Sequence, residues 1–133
     1  MAFNISDEKI AKTEASLGRR LPPVYRSIMG ESNGGTAFDE EDQWDIYPIQ
    51  DDSDRKRLSR SCNHIIAETK SAKEWKGFPA EGLVVGGNGF GDVMLLLPSE
   101  TDPTLFSDRL FVYWHETGKV ESLADDLASF EIE

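Results

Sequence analysis

Residues 39–54 hold eight carboxylates, Asp39, Glu40, Glu41, Asp42, Asp45, Asp51, Asp52 and Asp54, and no base. Trp44 and Tyr47 stand inside this run. Acids steer a basic partner and speed its approach, and aromatic side chains anchor it. The composition is that of a protein-binding surface. A solvated acidic loop with Trp44 buried in the core fits the same residues. A calcium loop needs acids at Asp-x-Asp-x-Asp-Gly spacing, and the run lacks that pattern.

Elsewhere the chemistry is thinner. Gly86-Gly87-Asn88-Gly89-Phe90-Gly91 has the glycine content of a phosphate loop. Such a loop must open a helix, whose N-terminus holds the phosphate, and here an apolar strand-like run follows instead. Asp92 is open to two uses, a site carboxylate or an acceptor for backbone N–H groups in its own turn. His64 and His115 are the only histidines, and neither stands in a metal-ligand spacing. Cys62 falls on the apolar stripe of a predicted helix and reads as core. No catalytic residue, metal ligand or cofactor follows from these residues. A small hydrolase or ligand-binding enzyme would need Asp92, His115 and another carboxylate to converge in a deep pocket.

The acidity of the whole chain would speed association with a basic partner, and by itself it more often serves simple solubility. The chain's 133 residues suit one domain spanning 1–133, with a core large enough to need no metal or disulfide. A net charge of −11 repels phosphate backbones, which argues against a nucleic-acid partner. The longest apolar run, residues 93–97, is far too short to span a bilayer. Residues 1–20 lack the apolar core of a signal peptide, and the single cysteine allows no internal disulfide. A cytoplasmic protein is expected.

These residues must be positioned by a small set of elements. Ser6 caps a first helix with Asp7 and Glu8 at its positive end, Ile10 and Leu17 facing inward and Gly18 ending it. Pro22-Pro23 starts a second helix carrying Tyr25, Ile28 and Met29, closed by Asn33-Gly34-Gly35. Residues 44–49 alternate as a short strand, and Pro48 makes it an edge strand or a strand end. Asp52 or Ser53 caps a third helix with Leu58, Cys62, Ile65, Ile66 and Thr69 inward. Arg55, Lys56, Arg57 and Arg60 follow the acids closely enough to pair with them. Residues 70–82 form a connector pinned by Trp75, Phe78 and Pro79. Residues 83–97 form the central hairpin around Asn88-Gly89, with the run 93–97 covered on both faces. After a polar loop, residues 109–114 make a strand, 115–118 a turn and 119–121 a short return strand. Ser122 with Asp125 caps a last helix bearing Leu123, Leu127 and Phe130. The sum is an α+β fold with helices packed on a single, mainly antiparallel sheet.

The order Leu17-Gly18, Leu21-Pro22-Pro23, Tyr25 and Asn33-Gly34-Gly35 resembles the opening of the SUKH superfamily. That superfamily contains bacterial Smi/Knr-like proteins and the yeast cell-wall assembly regulator. Trp44, the Gly-Asn-Gly-Phe-Gly-Asp turn at 87–92, Gly118-x-Val120 and Leu123-Ala124-Asp125-Asp126-Leu127-Ala128-Ser129-Phe130 extend the resemblance along most of the chain. It implies helices packed on one sheet and a non-enzymatic role. Many bacterial members are immunity proteins that bind and neutralise a toxin, often a nuclease, and eukaryotic members are regulatory scaffolds. The expectation is an immunity-type protein whose partner is a basic toxin domain, with a regulatory scaffold that has no toxin partner as the alternative. The expected contact residues are Asp39, Glu40, Glu41, Asp42, Trp44, Asp45 and Tyr47, with Trp114, His115 and Glu116.

Overall fold

The computed structural model describes residues 3–133. Helix α1, Asp7–Leu17, begins where Ser6 Oγ accepts the Lys9 N–H at 3.4 Å, and stops at Gly18, whose φ of 71° closes a left-handed cap. Helix α2, Pro23–Glu31, opens on Pro23 at its first position. Both follow the sequence reading.

Strand β1, Gly35–Phe38, then turns into β2, Gln43–Ile46. Helices α3, Arg55–Arg60, and α4, Ile65–Ala72, lead to β3, Leu83–Gly87, and β4, Val93–Pro98. Strands β5, Phe106–Trp114, and β6, Lys119–Ala124, precede one 3-10 turn at Leu127–Ser129 and a two-residue strand β7, Glu131–Ile132. The strands form one antiparallel sheet in the order β6-β5-β4-β3-β2-β1-β7. This is the expected α+β architecture.

Three expectations change. The predicted third helix is two. Asp54 caps α3, and Ser61 Oγ bonds the Arg57 carbonyl at 2.9 Å and accepts the Asp51 N–H at 3.0 Å, which stops the helix there. His64 then caps α4, with Nδ1 accepting the Ala67 N–H at 3.2 Å. The break turns Cys62 outward, so it is not core, and leaves Leu58 45% exposed. The predicted last helix does not form. Arg109 of β5 donates to Ser122 Oγ within β6 and to Asp125 Oδ1 just past its end, both at 2.8 Å, so neither side chain caps a helix. Leu127 and Phe130 are nevertheless buried. The strand read at 44–49 ends at Ile46: of the two places open to Pro48 it takes the strand end, and β2 is interior because β1 and β7 lie outside it.

The two faces of the sheet are used differently. Trp44, Ile46, Val85, Met94, Leu96, Leu110 and Val112 share a buried cluster with Ile10, Tyr25 and Met29 of α1 and α2. Val84, Val93, Leu95 and Tyr113 form a second cluster with Ala72 of α4 and the half-buried Phe78. The run at 93–96 is therefore buried from both sides, and each full apolar side chain there contributes about 1.5–3 kcal/mol. Trp75, Phe78 and Tyr113 pack ring on ring at 5.7–6.4 Å, which pins the connector.

Register on this second face links Thr36, Asp45, Gly87, Val93, Tyr113 and Val120 into one row across six strands. Glu133 continues it through paired backbone hydrogen bonds to Thr36 at 2.9 and 2.8 Å. From Val93 onward the row is covered by the connector. Beyond the buried Gly87 it opens, with Asp45 and Glu133 exposed and Thr36 half-buried. Gly87 has no side chain, and the Tyr47 hydroxyl occupies the space its Cβ would take.

Candidate functional site

Antiparallel order brings three turns to one end of the sheet. They are the β1–β2 turn at 39–42, the β3–β4 turn at 88–91 and the β5–β6 turn at 115–118. Successive turns are two strand spacings apart, about 10 Å, so the rim spans about 20 Å. The acidic turn of the stretch 39–47 and the turn after Trp114 thus lie at opposite ends of one edge, with the 88–91 turn between them, while Tyr47 stands past the far end of β2.

The acidic turn is built by Asp39. Its Oδ1 accepts the Glu41 and Asp42 N–H groups, each at 2.8 Å, and its own N–H reaches the Asp42 carbonyl at 3.0 Å. The Asp42 and Glu41 N–H groups hold the Asp39 carboxyl below the ordinary carboxylate value. Asp39 is therefore committed to shaping the turn, and Glu40, Glu41 and Asp42 point into solvent. Among the described residues, none of these three, nor Asp45, Glu131 or Glu133, forms an ion pair. Lys9, Lys12, Arg19, Arg20, Arg26, Arg57 and Arg109 pair with acids elsewhere. Of the basic cluster beside the acidic run, Arg57 does bind Asp51 and Asp54, whereas Asp52 is taken by Lys9 and Lys12 of α1.

Trp44 is a correction. It is 1% exposed in the core under the helices, and its Nε1 finds no partner among the described residues. It cannot touch a partner. Alternation then sends Asp45 to the open face. Tyr47 is half-buried, and burial, followed by the charges of Glu68 and Asp45, raises its hydroxyl above the ordinary value. Trp114 is half-buried against the helix-side cluster, while His115 and Glu116 are exposed.

The middle turn is not the simple Asn-Gly reversal that its sequence suggests. Gly89 and Gly91 carry φ of 82° and 99°, but Asn88 keeps a negative φ and works through its side chain. Asn88 Oδ1 accepts the Phe90 N–H at 2.9 Å, and Nδ2 donates to Asp92 Oδ2 at 2.9 Å. Asp92 Oδ1 accepts the His115 N–H at 3.0 Å and lies 2.7 Å from His115 Nδ1. Asp92 thus ties two turns together rather than serving only its own. Burial alone would raise its pKa. The Asn88 amide and the His115 ring and N–H outweigh that and hold the carboxyl below the ordinary value.

This carboxylate–imidazole pair orients the ring and leaves Nε2 turned away from Asp92, which is half of a proton relay. Among the described residues no hydroxyl or thiol is bonded to His115, and no group of three His, Cys, Asp or Glu side chains is placed to hold a metal. Two open cavities of about 510 and 590 Å³ flank the ring, one walled by Trp75 and Tyr113, the other by Phe90 and Trp114. Phe90 itself, 80% exposed at the tip of the middle turn, was missed by the sequence reading. A lone aromatic inside a glycine-rich turn was the available signal.

No helix among the described residues is long and apolar enough to cross a membrane. Fold and rim together define an α+β domain with one open antiparallel sheet, whose hairpin turns gather on a single accessible edge. The chain belongs to the SMI1 / KNR4 family (SUKH-1), whose model matches residues 4–133. No curated protein matches it.

Proposed function

We propose that this protein is a non-enzymatic immunity-type binding protein that neutralises a basic toxin domain by covering its active surface with the three-turn rim. Family membership is consistent with such a role. The observation that carries the reading is a concentration of acid on one turn: Glu40, Glu41 and Asp42, with Asp45 beside them, are exposed and form no ion pair among the described residues. A nuclease presents positive charge to its substrate, and an acidic rim reaches that surface quickly.

The test is a neutralised turn, E40Q/E41Q/D42N, with Asp39 kept so that the turn survives. Against a toxin encoded beside the gene, the association rate should fall about tenfold at low salt, and its salt dependence should flatten. Dissociation should change little. An unchanged association rate would remove the acidic turn from the mechanism. The Asp92–His115 pair and its flanking cavities favour a second reading, a small-molecule site, which ligand-induced shifts of the His115 ring resonances would reveal.

A further inference from the structure

Phe90 is the most exposed of the large apolar side chains picked out on the surface, 80% against 45% for Leu58 and 39% for Trp75. It joins neither buried cluster, so folding makes no use of its ring. Its backbone N–H is nevertheless tied into a chain of hydrogen bonds. Asn88 holds its N–H, Asp92 holds Asn88, and His115 holds Asp92 from the neighbouring hairpin. The His115 ring also packs directly on Gly91, where an added Cβ would meet it at 3.0 Å. A rigid aromatic loses little conformational entropy on binding, which is the property of an interface anchor.

We infer that Phe90 is the central anchor of the partner interface, entering an apolar recess on a basic protein surface. Position and charge select that occupant. The unpaired acids Glu40, Glu41 and Asp42 stand about 10 Å to one side on the same rim. The cavity bordered by His115 and Trp75 lies on the other side, and Phe90 itself walls the second. A second copy of this chain would bring acid against acid, which like charge opposes. The inference rests on the binding role proposed above and adds the residue on which the affinity depends.

The test places a photo-crosslinking benzoylphenylalanine at position 90, at Glu41, or at Glu100 in the loop at the opposite end of the sheet, each in the full chain expressed in its native host. Mass spectrometry identifies the adducts, and the purified partner is then titrated with F90A and F90L. The expected result is one protein captured from positions 90 and 41 but not 100, through a segment with apolar residues flanked by Lys or Arg. F90A should weaken its binding about thirtyfold or more, mainly through faster dissociation, with F90L intermediate and neither variant changing the melting temperature. Capture from 41 but not 90, or an F90A affinity within about twofold of wild type, overturns the anchor and leaves the acidic rim standing. Capture of a second copy of this chain overturns the basic-partner assignment. Capture from position 100 alone, or from none of the three, overturns both the anchor and the rim as the binding face.

Discussion

Replacing Asp92 by alanine removes one acceptor from three donors at once: the Asn88 amide at 2.9 Å, the His115 N–H at 3.0 Å and the His115 ring at 2.7 Å. Hydrogen bonds to a charged group contribute about 1.5–3 kcal/mol each. All three bonds are only partly buried, so the donors recover some of this from water. The expected loss is about 2–4 kcal/mol. For a domain of 133 residues the unfolding entropy makes each kcal/mol worth about 3–4 °C, so D92A should melt about 7–14 °C lower. The assay is urea unfolding with melting followed by circular dichroism. D92N keeps the shape and supplies the pH test. Because the folded carboxyl lies below its ordinary value, its contribution is fully present above the unfolded value, near pH 4, and is lost as pH falls through the folded one. The advantage of wild type over D92N should therefore be flat from about pH 5 to 6 and shrink below about pH 4. A D92A variant within about 0.5 kcal/mol of wild type would refute the view that this carboxylate braces the rim, since three charged hydrogen bonds cannot vanish at that cost.

Two further substitutions probe how the sheet is completed. Thr69 Oγ1 of α4 accepts the Val84 N–H at 2.8 Å in a buried setting, where β2 has already parted from β3, so T69V should cost about 1–3 kcal/mol in urea unfolding by leaving that N–H unpaired. G87A drives a methyl group into the Tyr47 hydroxyl and should cost about 1–3 kcal/mol, and the double variant G87A/Y47F should recover part of it in a double-mutant cycle.

Local chemistry explains what the sequence disclosed. Ser6, Gly18 and Pro23 act within a few residues of themselves, so the first two helices were legible. The apolar run at 93–96 declared its own burial. Long-range partners decided the rest. Residues 35–38 became a strand because β2 and the C-terminal strand pair with them on either side, which no local pattern encodes. Ser122 and Asp125 have the spacing of a helix cap, and Arg109, sixteen residues before Asp125, overrode it. Alternation would have shown that Trp44 and Asp45 face opposite ways, but not which face the helices cover. Acidity of the first turn and exposure of His115 and Glu116 were visible in outline. Their meeting on one rim, and the place of Phe90 between them, followed only from strand order.

Because the rim is made of hairpin tips, its side chains sit outside both buried clusters, and of them Asp92 alone is buried, as the brace. Glu40, Glu41, Asp42, Phe90 and Glu116 can each be exchanged without opening a cavity or orphaning a buried donor. Under the binding role proposed above, recognition and foldability are uncoupled. Descendants of such a chain can drift at the tips and still inherit an unaltered scaffold.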